Sequence, residues 1–147
     1  MVADGKIAEA GTHEELLAAG MNANISCGAT QFSDEFDPNT HSDCVTQRHL
    51  TERWHGCNDG QIRIDASIHG EYTANVPLWQ WMAAYAQEKK LGMHVHVSET
   101  RSEHESCLQK YGKTPVALLD RYGVWVNRGT TAPFGRVGEP DIELMVP

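Results

Sequence analysis

Apolar positions along this chain repeat with two different periods, and the two alternate. Gln61 to Ile68 has period two: Ile62, Ile64 and Ala66 interleave with Arg63, Asp65 and Ser67, and His69 stands at the end. Residues 92–98 do the same, with Val95 and Val97 on one face and His94, His96 and Ser98 on the other. Between these runs Leu78, Trp79, Met82, Tyr85 and Ala86 fall at helical spacing behind Pro77, which predicts a helix to about Lys90. Residues 61–98 therefore read as a β-α-β unit long enough for a parallel crossover.

Further elements flank that unit. Ser102 with Glu105 reads as a capping box that opens a helix through Cys107, Leu108 and Tyr111, closed by Gly112. Thr114-Pro115 opens another, with Val116, Leu119 and Tyr122 inward and Gly123 as its stop. Upstream, residues 2–7 read as a short strand or hairpin edge. Thr12 with Glu15 caps a helix ending at Gly20, and Asn24-Ile25-Ser26 is a brief strand. Residues 33–43 are turn-rich and polar, hence a loop, and Val45, His49, Leu50 and Trp54 space a helix from about Cys44 to His55. Trp54, Trp79 and Trp81 read as core or sheet-covering aromatics. Gly129 to Phe134 is a further short strand, and Glu139-Pro140-Asp141 leads a last helical piece.

The alternation predicts an α/β fold with a parallel sheet and helices outside it. Two closures compete at this point, an open doubly wound sheet and a (β/α)-barrel segment. An eight-stranded barrel needs about 250 residues, and 147 residues are one domain with room for roughly half of one. Composition narrows the function classes. Hydrophobic content of 40% and charged content of 22% are those of a globular chain. A formal net charge of −8 argues against nucleic-acid or anionic-membrane partners. No apolar run approaches the roughly 20 residues of a membrane helix, and residues 1–20 lack the apolar core of a signal peptide. Cys27, Cys44, Cys57 and Cys107 form no CxxC pair, so reduced thiols in a cytoplasmic protein are expected.

Candidate chemistry concentrates where strands end. His94, His96 and Glu99 lie at the end of one strand and His69 at the end of the other, and strand C-terminal edges are where α/β folds carry sites. Taken alone, His94 and His96 are a hydrogen-bonded pair of core histidines or metal ligands. Glu99 is a proton-transfer group or a charge that complements a helix dipole, and His69 is a strand cap beside Tyr72 or a substrate contact.

A resemblance bears on these readings. The stretches ANIS (23–26), DGQIRIDASIHGEYT (59–73) and HVHVSETRSEHESCLQKYGKTPVALLDRYGV (94–124) resemble the amidohydrolase superfamily, in particular its metal-dependent deaminases and chlorohydrolase-like members. The resemblance implies a partial (β/α) TIM-type barrel of about four parallel strands with flanking helices, and 1–147 as a single, incomplete domain of that kind. It implies a hydrolase using zinc or another divalent metal to cleave C–N (or C–halogen) bonds of a small heteroaromatic or amidine-like substrate. By motif, His96 is the fifth-strand metal ligand, Glu99 the acid/base and His69 a substrate contact, while His94 is structural.

The sequence also departs from that family. No first-strand His-x-His pair stands upstream, where His13 is alone. Ala132-Pro133-Phe134 occupies the place of the sixth-strand histidine, and the metal-binding Asp expected downstream has no match. The expectation is a central piece of an amidohydrolase, inactive as an isolated chain and prone to self-association through open sheet edges. The alternative is a non-catalytic remnant or binding module. A second resemblance, of GKIAEAGTHEELLAAG (5–20) to the tail of an ABC-transporter ATPase domain, comes without any P-loop.

Overall fold

The computed structural model describes residues 2–3, 6–7, 23–125 and 135–145. The chain starts with an antiparallel hairpin, β1 (Val2–Ala3) with β2 (Lys6–Ile7), as expected. The helix predicted from Thr12 and the strand predicted at 129–134 lie outside the described residues.

The β-α-β unit is present. Strands β4 (Ile62–Ile64) and β5 (Ala66–Gly70) are joined by α2 (Val76–Lys89) to β6 (Met93–His96). β5 and β6 pair in parallel, Ala66 opposite Met93 and Gly70 opposite His96. On the other side β3 (Ala23–Ile25) runs parallel to β4. Ala29 continues that flank, donating its N–H to the Ser67 carbonyl at 3.1 Å and accepting from the His69 N–H at 2.9 Å. Residues 62–70 are thus the middle of a small parallel α/β arrangement.

Three expectations need correction. The strand foreseen over 61–68 is broken at Asp65 and runs on to Gly70. The Asp65 carbonyl accepts from Gln47 Nε2 at 3.1 Å, a side chain of α1 (Ser42–Trp54), so it is drawn toward the helix at the break. The same contact explains the second correction. α1 turns Cys44, Gln47 and Thr51 inward, leaving Val45 and Trp54 44% and 39% exposed. Its inner face is chosen by a polar anchor, which an apolar-spacing argument does not see. Third, the helix after β6 is α3 (Arg101–Tyr111), capped by Thr100 rather than Ser102. Ser98 is left-handed (φ 51°) and turns the chain off the strand early. Thr100 then accepts from the Glu103 N–H, while Glu103 Oε2 accepts from the Glu99 and Thr100 amides at 3.1 and 3.2 Å. Glu105, expected in that box, pairs instead with Arg101.

Asn75 caps α2; Pro77 in its first turn and Thr114-Pro115 at the start of α4 (Pro115–Asp120) are as the sequence predicts. A final helix, α5 (Glu139–Met145), is tied to α4 where Thr114 Oγ1 donates to Asp141 Oδ1. The core lies between the sheet and these helices: Ile64, Ile68, Leu78, Trp79, Met82, Val95 and Leu119 are fully buried. The Trp79 ring meets those of Tyr111 and Tyr122 at 6.1 and 5.4 Å, which fixes α2 against the α3–α4 region. Among the described residues no helix is long and apolar enough to cross a membrane.

Candidate functional site

The register Gly70 opposite His96 sets His69 and His96 side by side at the C-terminal end of neighbouring parallel strands. Their rings lie 5.3 Å apart, inclined by 42°. Ser98 reverses the chain beyond the strand and returns Glu99 over His96, so that Glu99 Oε1 lies 2.9 Å from His96 Nδ1, with each side chain about one-third exposed. His69, His96 and Glu99, singled out in the sequence, therefore converge at one edge. His69 Nδ1 meets Thr73 Oγ1 at 2.9 Å, and its ring packs edge-on to Tyr72 at 5.7 Å. Thr73, four residues on in the 3-10 turn Glu71–Thr73, was not foreseen; the signal for it was a hydroxyl inside the IHGEYT motif.

His94 sits one pleat back on the same face, its ring 5.7 Å from that of His96. Burial holds its imidazole below the ordinary range, the neighbouring His96 adds to this, and Asp65 opposes it. Burial thus favours the neutral form of His94. The loop beyond β6 is closed by Gly135, which donates its N–H to the Ser98 carbonyl at 3.0 Å. A Cβ there would lie 2.3 Å from the Glu99 carbonyl, so only glycine approaches this closely.

Next to the three residues lies a feature the sequence reading missed. Glu71, first residue of the 3-10 turn, is 3% exposed, and burial, with Glu103 reinforcing it, pushes its carboxyl up to about 7.

The arrangement can hold and move protons. In the tautomer that donates Nδ1–H to Glu99, His96 presents the lone pair of Nε2, as a metal ligand must. A zinc site takes three or more protein ligands. Among the described residues no group of three or more His, Cys, Asp and Glu side chains is placed to hold a metal ion. The described residues thus offer parts of such a site and do not fit a complete one.

No family model matches the chain. A 5-methylthioadenosine/S-adenosylhomocysteine deaminase of Desulfitobacterium hafniense is 29% identical over 139 residues, 95% of this chain and 29% of that protein. The enzyme of the same name from Thermoanaerobacter pseudethanolicus is 35% identical over 98 residues, 67% of this chain and 23% of that protein. Among solved structures, an adenosine deaminase from Xanthomonas campestris with bound zinc superposes with a TM-score of 0.71 at 22% identity, over 88% of this chain and 29% of that one. Because the first match takes in 139 of 147 residues, most of residues 1–20 fall within the deaminase likeness and need no separate ATPase-like unit. The chain belongs to the amidohydrolase superfamily, as a segment spanning less than one-third of the length of these relatives.

Proposed function

We propose that residues 1–147 form one partial (β/α)-barrel domain of about four parallel strands. It carries part of the site of a metal-dependent hydrolase acting on a C–N (or C–halogen) bond of a small heteroaromatic or amidine-like substrate. The observation that supports this reading is the meeting of His69, His96 and Glu99 at the C-terminal edge of the parallel strands. His96 is assigned as a metal ligand through Nε2, its ring oriented by Glu99. Glu99 is assigned proton transfer, since a one-third-exposed carboxylate in a hydrogen bond can accept and return a proton. His69, fixed by Thr73 and Tyr72, is assigned to substrate contact. The four cysteines are free thiols, which supports the cytoplasmic setting included in this reading.

The metal set among the described residues is incomplete. The isolated chain is accordingly expected to hold zinc weakly and to hydrolyse little. Elemental analysis of the purified chain, beside His96→Ala, tests the ligand account. Substoichiometric zinc, removed by mild chelation and lowered further in the variant, is the expected result. One tightly held equivalent per chain that His96→Ala abolishes would show a complete site and a working enzyme. Zinc uptake unchanged by His96→Ala would remove His96 from the ligand set and favour the binding-module alternative.

A further inference from the structure

Ser98 is 1% exposed and holds a positive φ of 51°. For a residue with a Cβ that conformation is uphill, and it persists only where neighbours hold it. It is also what carries Glu99 back over His96, where Oε1 lies 2.9 Å from Nδ1. Whatever holds the turn therefore decides whether the pair forms.

Three contacts grip this turn. The Ser98 carbonyl accepts from the Gly135 N–H at 3.0 Å. The next amide, that of Glu99, donates to Glu103 Oε2 at 3.1 Å. Both of these act on peptide groups. The third acts on the side chain: Ser98 Oγ and His104 Nδ1 share a hydrogen bond of 3.1 Å. Glu103 and His104 are consecutive in the first turn of α3, so adjacent residues of the helix hold adjacent residues of the turn. His104 is anchored in its own backbone, its N–H donating to the Thr100 carbonyl at 3.3 Å. An extended φ at Ser98 would redirect the peptide that follows it and could not keep all three contacts.

We propose that His104 is a positioning residue, whose hydrogen bond to the Ser98 hydroxyl locks the turn left-handed and thereby holds Glu99 on Nδ1 of His96. The inference rests on the reading of His96 and Glu99 as the working pair of the site. Its chemical consequence is a choice of tautomer. An ionised carboxylate only accepts hydrogen bonds, so its contact with Nδ1 selects the Nδ1–H form of His96 and leaves the lone pair on Nε2. His104 thus acts on the free nitrogen of His96 through two intervening residues, Ser98 and Glu99.

The test is magnetic resonance of the purified chain with ¹⁵N-labelled histidine, at pH 8.5, above the ordinary imidazole range. Two signals are read: the ring nitrogens of His96, which report the tautomer, and the cross-relaxation between the amide and α protons of Ser98, which is strong when φ is positive. The unaltered chain should show the Nδ1–H form and a strong Ser98 signal. In His104→Ala the ratio of Nδ1–H to Nε2–H at His96 should fall by about tenfold, the loss of one charge-assisted hydrogen bond, and the Ser98 signal should weaken. His104→Asn should restore both, because an amide group on Cγ places a polar atom where Nδ1 stands and can donate or accept. If His104→Ala does not fold, Ser98→Ala removes the other end of the same bond and should shift the His96 tautomer alike. A merely structural His104 would lower the urea midpoint and leave the His96 ring signals of the folded chain unchanged. That result, or His104→Asn behaving as His104→Ala does, would overturn the proposal. Zinc uptake indifferent to His96→Ala would instead remove the ligand reading and leave these signals as they are.

Discussion

Replacing Glu71 with glutamine should change how stability depends on pH, by an amount the structure fixes. Glu71 is buried, and burial together with Glu103 raises its carboxyl from the ordinary 4.5 to about 7. In the unfolded chain the group returns to its ordinary value. Between those two pH values the unfolded chain gives up the proton while the folded chain keeps it, so stability falls as pH rises. The contribution is fully present below pH 4.5 and gone above about pH 7. At 1.36 kcal/mol per pH unit the interval is worth about 3 kcal/mol. Glutamine has no proton to lose, so the variant should lack this slope. Urea unfolding at steps from pH 4 to pH 8, read by tryptophan fluorescence, measures both chains. The variant should gain on the unaltered chain by about 3 kcal/mol between the ends of the range. His94, whose imidazole is held low by burial, acts in the opposite sense, losing stability as pH falls below its ordinary range. It is present in both chains and cancels in the difference. Parallel profiles for the two chains would refute the account of Glu71.

Two further outcomes concern packing. Trp79→Ala should cost about 3–5 kcal/mol, since the ring is fully buried against Tyr111 and Tyr122; the urea midpoint reads this directly. Gly135→Ala should detach the segment that closes over Ser98, because the added methyl would meet the Glu99 and Ser98 carbonyls at 2.3 and 2.6 Å. Amide exchange at position 135, where the native N–H is bonded to the Ser98 carbonyl, should then quicken by roughly tenfold or more, and an unchanged rate would contradict the close approach.

What could be read from the sequence was whatever a repeat or a cap encodes locally. Alternation in 61–68 and 92–98 identified two strands, and the helical spacing behind Pro77 identified the element that joins them in parallel. Thr114-Pro115 named its own helix start. Failures came where a tertiary contact overrode the local pattern. The inner face of α1 depends on Gln47 reaching the Asp65 carbonyl, and nothing in the apolar spacing of residues 44–55 indicates a buried glutamine. The start of α3 depends on Ser98 turning left-handed. Both Thr100-x-x-Glu103 and Ser102-x-x-Glu105 satisfy the same capping pattern, and the turn selects the first. Glu71 was passed over because nothing in the local pattern past the strand end marks that glutamate as buried.

The same turn separates two histidines that the sequence presents as equivalent. His94 and His96 share a strand face, and periodicity gives no reason to prefer either. A strand rises about 3.3 Å per residue, so His94 lies roughly 7 Å farther from the strand end. Glu99, returned by the left-handed Ser98, reaches Nδ1 of His96 at 2.9 Å, a contact that the rise per residue places beyond His94. One imidazole thus acquires a carboxylate that engages its Nδ1, and the other acquires burial that favours its neutral form. The distinction between ligand candidate and structural histidine follows from the single positive φ two residues past the strand. It would vanish if Ser98 were extended, for then Glu99 would point along the strand axis and neither histidine would have a carboxylate partner.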